Sequence, residues 1–164
     1  MQLVLNQHQI DQKITRLAHE ILESTYGTQE IFIGGIIGNG KEFGHQITDL
    51  LQKNSSQSFT FFTIELDKDE PLSHPITCSI DVQLFKDKTV ILVDDVINSG
   101  KTMQYAVVKI LEQSVKSVKT VALVDRMHRR YPIKCDFVGM TLTTTLGERV
   151  EVLPTDGQLE AYLV

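Results

Sequence analysis

The chain has 164 residues, 41% of them hydrophobic, and a formal net charge of −5 at pH 7. This length predicts a single domain, residues 1–164, with a sizeable core, and the composition excludes a disordered protein. The negative charge argues against nucleic-acid binding by charge alone, and no apolar run is long enough to predict a membrane-spanning segment. Cys78 and Cys135 lack metal-ligand spacing and are expected to be reduced thiols of a cytoplasmic protein.

Strands and helices alternate along most of the predicted chain. Apolar residues at helical spacing between Ile10 and Leu22 predict the first helix, which ends before Gly27. Such alternation favours parallel strands with right-handed crossovers, so the predicted fold class is α/β. The remaining predicted elements are strands at 31–37, 59–65, 90–93 and 120–124, helices at 41–52 and 102–113, a turn at 53–57, a loop at 67–80, and short strands and turns from 135 to 153.

The segment from Val90 to Thr102 combines an apolar strand, two carboxylates and a loop that begins a helix. Ligands of open α/β sheets bind outside the carboxyl ends of the strands. A loop rich in glycine and hydroxyl groups at a helix start presents backbone N–H groups to an anion, and the helix dipole adds to the attraction. The residues expected to bind a phosphate are Asn98, Ser99, Gly100, Lys101 and Thr102.

Asp94 and Asp95 directly precede that loop and would repel a phosphate, so they are expected to bind another part of the same ligand. Ribose hydroxyls, which donate hydrogen bonds, are the natural partners of two carboxylates, and Mg²⁺ on those hydroxyls would assist. The pattern therefore predicts a sugar phosphate. The alternative is a structural role, with the acids ending a strand and the loop capping a helix.

A second phosphate chemistry was weighed because residues 35–42 come close to the phosphate loop of nucleotide triphosphatases. In residues 35–42, Glu42 stands where the motif needs a hydroxyl group to bind Mg²⁺. Residues 100–102 match only the end of the motif, because Asp95 stands where its first glycine should be. Neither segment completes the motif, so this interpretation is not favoured.

Residues 90–102 resemble the phosphoribosyl-pyrophosphate signature of type I phosphoribosyltransferases. Residues 124–139 and 15–20 resemble segments of the bifunctional pyrimidine-operon attenuator and uracil phosphoribosyltransferase family. The resemblance implies the type I phosphoribosyltransferase fold, with a central, mainly parallel sheet, flanking helices and a small C-terminal hood covering the site.

The resemblance also implies roles for individual residues. Asp94 and Asp95 would hold the ribose of phosphoribosyl pyrophosphate, with Mg²⁺ bound through the ligand and these two carboxylates. Phe137 would stack on the base and the Val138 backbone would contact its edge, with Asp125 nearby. Ordinary core packing is the alternative for Phe137. The loop facing pyrophosphate would consist of Ile37, Gly38, Asn39, Gly40 and Lys41.

Two departures from the family pattern bear on catalysis. Relatives carry a Lys-Thr-Arg-Gly type of loop for pyrophosphate, whereas residues 37–40 contain no cation and Lys41 only follows them. The mobile loop before residues 69–72 is shortened and lacks its Tyr-Arg pair. The implied reaction is phosphoribosyl transfer to a nucleobase, with uracil as the leading substrate and a nucleoside monophosphate as product; weak catalysis, another base, or ligand sensing without turnover stay open.

The alternative function is a nucleotide-sensing regulator that binds RNA, as the resembled family does through a basic surface on a homodimer. Residues 126–134 are the one concentrated basic stretch. The net charge favours a solvated basic turn over RNA recognition. The residues that the resemblance assigns to RNA are Arg16, His19, His128 and Arg129.

Overall fold

The computed structural model describes residues 1–164, arranged in two sheets. The larger sheet has the strand order β4-β3-β2-β5-β6-β7 and is parallel except for the two-residue β4, so the predicted α/β class is confirmed. No helix is both long and apolar enough to cross a membrane. In chain order the elements are β1 (Gln2–Leu5), α1 (Gln7–Ser24), β2 (Glu30–Ile36), α2 (Asn39–Lys53), β3 (Ser58–Glu65), β4 (Thr77–Cys78), a 3₁₀ turn (Val82–Phe85), β5 (Thr89–Ile97), α3 (Lys101–Ile110), β6 (Ser117–Asp125), β7 (Phe137–Thr141), β8 (Val150–Thr155) and β9 (Gln158–Leu163).

Both faces of the larger sheet are covered, which explains why its central strands are apolar on both sides. The helices α1 and α2 pack on one face, where a cluster of 22 buried residues includes Ile14, Phe43 and Val93. On the other face α3 packs through Met103 and Ala106 in a cluster of 13. The sheet and its helices thus form a rigid frame for the loops at the carboxyl ends of the strands.

The hood is a separate antiparallel sheet with the order β1-β9-β8. It therefore contains the first strand of the chain as well as the last two, whereas the sequence predicted a purely C-terminal hood. The short β1 pairs Gln2 with Leu163. A local pattern cannot predict such a strand, because its partner lies at the far end of the chain.

The strand β5 is longer than its predicted range of 90–93, and Asp94 and Asp95 lie within it rather than after it. Its pairing with β2 ends at Val93, but its pairing with β6 continues to Ile97. A Cβ on Gly40 would lie 2.7 Å from the Val93 carbonyl oxygen, so only glycine lets the first turn of α2 approach β5 this closely. The two carboxylates thus lie where β5 has lost one strand neighbour.

Candidate active site

A polar cavity of about 350 Å³ opens at the carboxyl end of β5. It brings together the two carboxylates and the loop that the sequence assigned to one ligand, and adds cations from other segments. The lining residues are Lys68, Asp69, Asp94, Asp95, Val96, Ile97, Asn98, Ser99, Gly100, Lys101, Thr102, Met103 and Arg130.

Asp94 lies at the buried side of this cavity, with 2% of its surface exposed. Its Oδ1 accepts a hydrogen bond from the Asp95 backbone N–H at 2.9 Å, and Lys68 Nζ lies 3.3 Å from the same oxygen. Burial and the neighbouring Asp95 charge raise the pKa of Asp94 to about 8, and Lys68 opposes the rise. Asp94 is therefore a carboxyl group whose charge depends on a nearby cation.

Asp95 is held by two different elements. Its Oδ1 accepts from the Val96 backbone N–H at 2.8 Å, and its Oδ2 accepts from Asn39 Nδ2 at 3.0 Å. The same Asn39 nitrogen donates to the Val152 carbonyl of β8 at 2.9 Å. Asn39 thus connects the carboxylate to the hood, a role that sequence reasoning missed because it depends on contacts between distant segments.

The predicted phosphate loop has the expected form. Gly100 caps α3 in the left-handed conformation, with φ of 85°, which only glycine adopts without strain. Behind the loop, Arg126 donates to Asn98 Oδ1 at 3.1 Å, and the Arg130 backbone N–H donates to the Ser99 carbonyl at 2.8 Å. The basic stretch after β6 therefore supports the loop structurally.

The predicted pyrophosphate loop, residues 37–41, does not line this cavity. Asn39 reaches it only through Asp95, and the exposed Lys41 side chain has no hydrogen-bond or ion-pair partner. The loop is held close to β5 by the glycine contact described above, so its backbone, and not a cationic side chain, faces the carboxylates. The assignment of residues 37–41 to pyrophosphate stays a prediction.

The structure does not bring the predicted base-binding residues into the cavity. Phe137 is 8% exposed and lies in one row with Val121 and Val93, all in the larger core cluster. Val138 lies on the opposite face, and its carbonyl accepts from Arg16 at 3.3 Å. Asp125 is buried and pairs with Arg129. Phe137 thus has the core packing that was the alternative to base stacking.

The four residues assigned to RNA lie in two separate places. His19 is exposed on α1, and Arg16 on the same helix pairs with Glu20 at 3.0 Å. His128 and Arg129 instead line a cavity of about 780 Å³ next to the phosphate loop, together with Arg126, Arg130 and Arg149. A basic surface exists at this second place, although the Arg129 guanidinium is paired with Asp125.

No group of three or more His, Cys, Asp or Glu side chains could hold a metal by itself. Mg²⁺ often binds through one or two carboxylates plus substrate oxygens, and Asp94 and Asp95 provide such a pair. The Lys68 ammonium already lies against Asp94 Oδ1, which indicates that the pair attracts a cation. The donor set therefore fits a Mg²⁺ ion that arrives with its ligand.

Comparison with known proteins identifies the family. Residues 2–154 match the family model described as the phosphoribosyl transferase domain. The chain belongs to this family. A bifunctional protein PyrR from Staphylococcus epidermidis is 33% identical over 158 residues, which cover 92% of this chain and 90% of that protein. The bifunctional protein PyrR of Staphylococcus aureus is 32% identical over 159 residues, with the same coverage. These matches confirm the resemblance seen in the sequence.

Solved structures confirm the expected type I phosphoribosyltransferase fold. A hypoxanthine-guanine phosphoribosyltransferase from Bacillus anthracis superposes with a TM-score of 0.72 at 22% identity, covering 87% of this chain and 83% of that one. A hypoxanthine phosphoribosyltransferase from Trypanosoma cruzi gives 0.67 at 19% identity, with 85% and 80% covered. At these identities the likeness concerns the fold alone, so it does not identify the base.

Proposed function

We propose that this protein transfers the phosphoribosyl group of phosphoribosyl pyrophosphate to a nucleobase, with uracil as the leading substrate, and releases pyrophosphate. The observation that carries the proposal is one cavity lined by Asp94, Asp95 and the loop of residues 98–102. A phosphate at the loop places the attached ribose beside the carboxylates. Family membership and the PyrR relatives support the reaction class.

In this reaction the bond from ribose C1 to the pyrophosphate oxygen breaks, and pyrophosphate leaves with the electron pair. A bond from a base nitrogen to C1 forms, and that nitrogen passes its proton to water or to the departing pyrophosphate. Positive charge develops on the ribose as the bond breaks, as in glycoside cleavage. Asp94 and Asp95 would hold the hydroxyls and stabilise that charge, and the loop around Gly100 would fix the ligand by its phosphate. Mg²⁺ bound with the ligand would neutralise the leaving pyrophosphate.

The test is formation of uridine monophosphate from uracil, phosphoribosyl pyrophosphate and Mg²⁺. Asp95→Asn keeps an oxygen that can accept from Asn39 but removes the charge, and should lower kcat/KM by about tenfold to hundredfold. Binding of phosphoribosyl pyrophosphate without turnover of any common base would remove the transferase and leave a ligand-binding protein. Absence of both would remove the proposal.

A second function, RNA binding by a nucleotide-sensing regulator, is favoured by one observation. The basic cavity shares Asn98, Ser99 and Arg130 with the phosphate cavity, so a bound nucleotide would change its walls. The PyrR relatives carry the word bifunctional in their name. A homodimer in the cytoplasm, the setting expected from the sequence resemblance, would present two such cavities.

The RNA function is tested with a set of hairpin RNAs in filter binding at increasing salt. Arg149 is 66% exposed in its side chain and lines only the basic cavity of the two, so Arg149→Ala should weaken binding and reduce its salt dependence. Lys116 lies directly before β6, at the opposite end of this strand from the basic cavity, and Lys116→Ala is the matched control. Equal binding by both variants, or binding that salt does not affect, would eliminate this function.

A further inference from the structure

The loop assigned to the leaving pyrophosphate lacks a positively charged side chain. A cation beside a departing pyrophosphate stabilises the charge that develops on it. Residues 37–40 contain no cation, and Lys41 is exposed and lines none of the cavities described above. If the proposed reaction takes place here, a protein cation that assists Mg²⁺ at the leaving group has to come from another segment.

Lys68 occupies the right place. Its ammonium lies 3.3 Å from Asp94 Oδ1, and it lines the cavity. It also lies 3.7 Å from where a Cβ on Gly38 would be, so it stands over the loop assigned to pyrophosphate. Gly38 has a φ of 97°, so the backbone conformation of this loop favours glycine here. Lys68 therefore lies between that loop and the carboxylates.

The segment that carries Lys68 is fixed on both sides. Asp67 Oδ1 accepts from the backbone N–H groups of Asp69 and Glu70, each at 2.9 Å. Lys101, at the start of α3, donates from Nζ to the Asp69 carbonyl at 2.6 Å. This shortened loop thus forms a turn tied to the phosphate loop. A cation on such a turn is held in position before any ligand arrives, which reduces the entropy lost on binding.

We propose that Lys68 binds the pyrophosphate group and supplies the positive charge that residues 37–40 lack. This inference rests on the proposed function and names one more residue of its machinery. An ammonium has three N–H donors, so Lys68 can keep its contact with Asp94 and donate to a pyrophosphate oxygen. Without ligand its ammonium lies 3.3 Å from Asp94 Oδ1.

The experiment is calorimetric titration of the whole protein with inorganic pyrophosphate and, separately, with uridine monophosphate, both in Mg²⁺. Lys68→Ala should weaken pyrophosphate binding by about tenfold or more, because a hydrogen bond to a charged group is lost. Binding of uridine monophosphate, which has no pyrophosphate, should change by less than about threefold. Lys68→Arg should restore most of the pyrophosphate affinity.

Lys41→Ala tests the rival cation, because Lys41 belongs to the loop assigned to pyrophosphate. The matched control is Lys53→Ala at the exposed end of α2, which should leave both affinities unchanged. The assignment of Lys68 is overturned if pyrophosphate still binds to Lys68→Ala, or if Lys41→Ala abolishes pyrophosphate binding instead. In either case the proposed function stands as long as uridine monophosphate still binds. Wild-type protein that binds neither compound refutes the proposed function and this inference together.

Discussion

Asp94 is a carboxyl group enclosed by protein, and its surroundings determine when it is charged. Burial is the largest cause of its raised pKa, the Asp95 charge adds to it, and Lys68 alone among the neighbouring groups contributes an opposing charge. A second positive charge near Asp94 would favour its ionised form further. The free protein and the ligand-bound protein are therefore expected to differ in the proton on Asp94, and Mg²⁺ binding should release that proton below about pH 8.

Asp94→Asn tests this description through stability. The folded-state pKa of about 8 lies above the reference value of 3.8, so between these values the folded protein keeps a proton that the unfolded chain releases. Wild-type stability is then full at low pH and falls as the pH rises through this window, by about 1.4 kcal/mol per pH unit at most. The variant lacks this loss, so its advantage in urea unfolding should grow from about pH 4 to pH 8.

The exposed Glu23→Gln on α1 controls for the simple loss of a charge. Its unfolding free energy should follow that of the wild type at every pH. Parallel curves for Asp94→Asn and wild type would contradict the raised pKa.

At the scale of elements, the position of β7 in the sheet bears on whether Phe137 packs in the core or stacks on the base. The row Val93, Val121 and Phe137 lies under α1 and α2, whereas Asp94 and Val138 belong to the next row, on the other face of the sheet. Alternation along a strand places neighbouring side chains on opposite faces. Phe137 therefore packs in the core in this structure, and its assignment to base stacking stays a prediction.

We expect Phe137→Ala to lower the free energy of unfolding by about 3–5 kcal/mol, as for other buried aromatics. The milder Phe137→Leu should fold and leave the KM for uracil unchanged. Phe59 is 7% exposed in the same cluster, and Phe59→Leu is the matched control. Steady-state kinetics separate the two roles: a rise in KM for Phe137→Leu, absent in Phe59→Leu, would restore base stacking.

The phosphate loop could be predicted because all its determinants are contiguous: an apolar strand, two acids and a Ser-Gly-Lys-Thr run. The C-terminal end of β5 could not be predicted from the sequence. Asp is disfavoured in strands, and the pairing of Ile97 with Asp125 depends on the tertiary structure. The place of Lys68 in the site and the contact of Asn39 with Asp95 were missed for a related reason. Their contacts to Asp94 and Asp95 span 26 and 56 residues, and no local pattern encodes them.

At the scale of the whole molecule, Asn39 is the hydrogen-bonded connection between the hood and the carboxylates. It lies at the start of α2, and its side chain donates hydrogen bonds to Asp95 in the large sheet and to Val152 in the hood. A displacement of the hood would therefore change the position of the Asp95 carboxylate. Ligand binding and hood stability are expected to be coupled through this side chain.

Asn39→Ala should weaken binding of phosphoribosyl pyrophosphate by about tenfold and speed amide hydrogen exchange in β8, since both bonds are lost. Gln46→Ala, which removes an exposed amide on the same helix, is the control and should change neither measurement. Faster exchange in β8 with unchanged affinity would mean that the hood and the ligand site act independently.

The pairing of β1 with β9 has a consequence for how the molecule is made. Residues 2–5 cannot pair until β9, the last strand, has been synthesised. By then every strand of the large sheet is already complete. The ligand site thus acquires its hydrogen-bonded connection to the hood last. Dyes attached near both termini would come together only at that moment, and so would time hood assembly separately from folding of the parallel sheet.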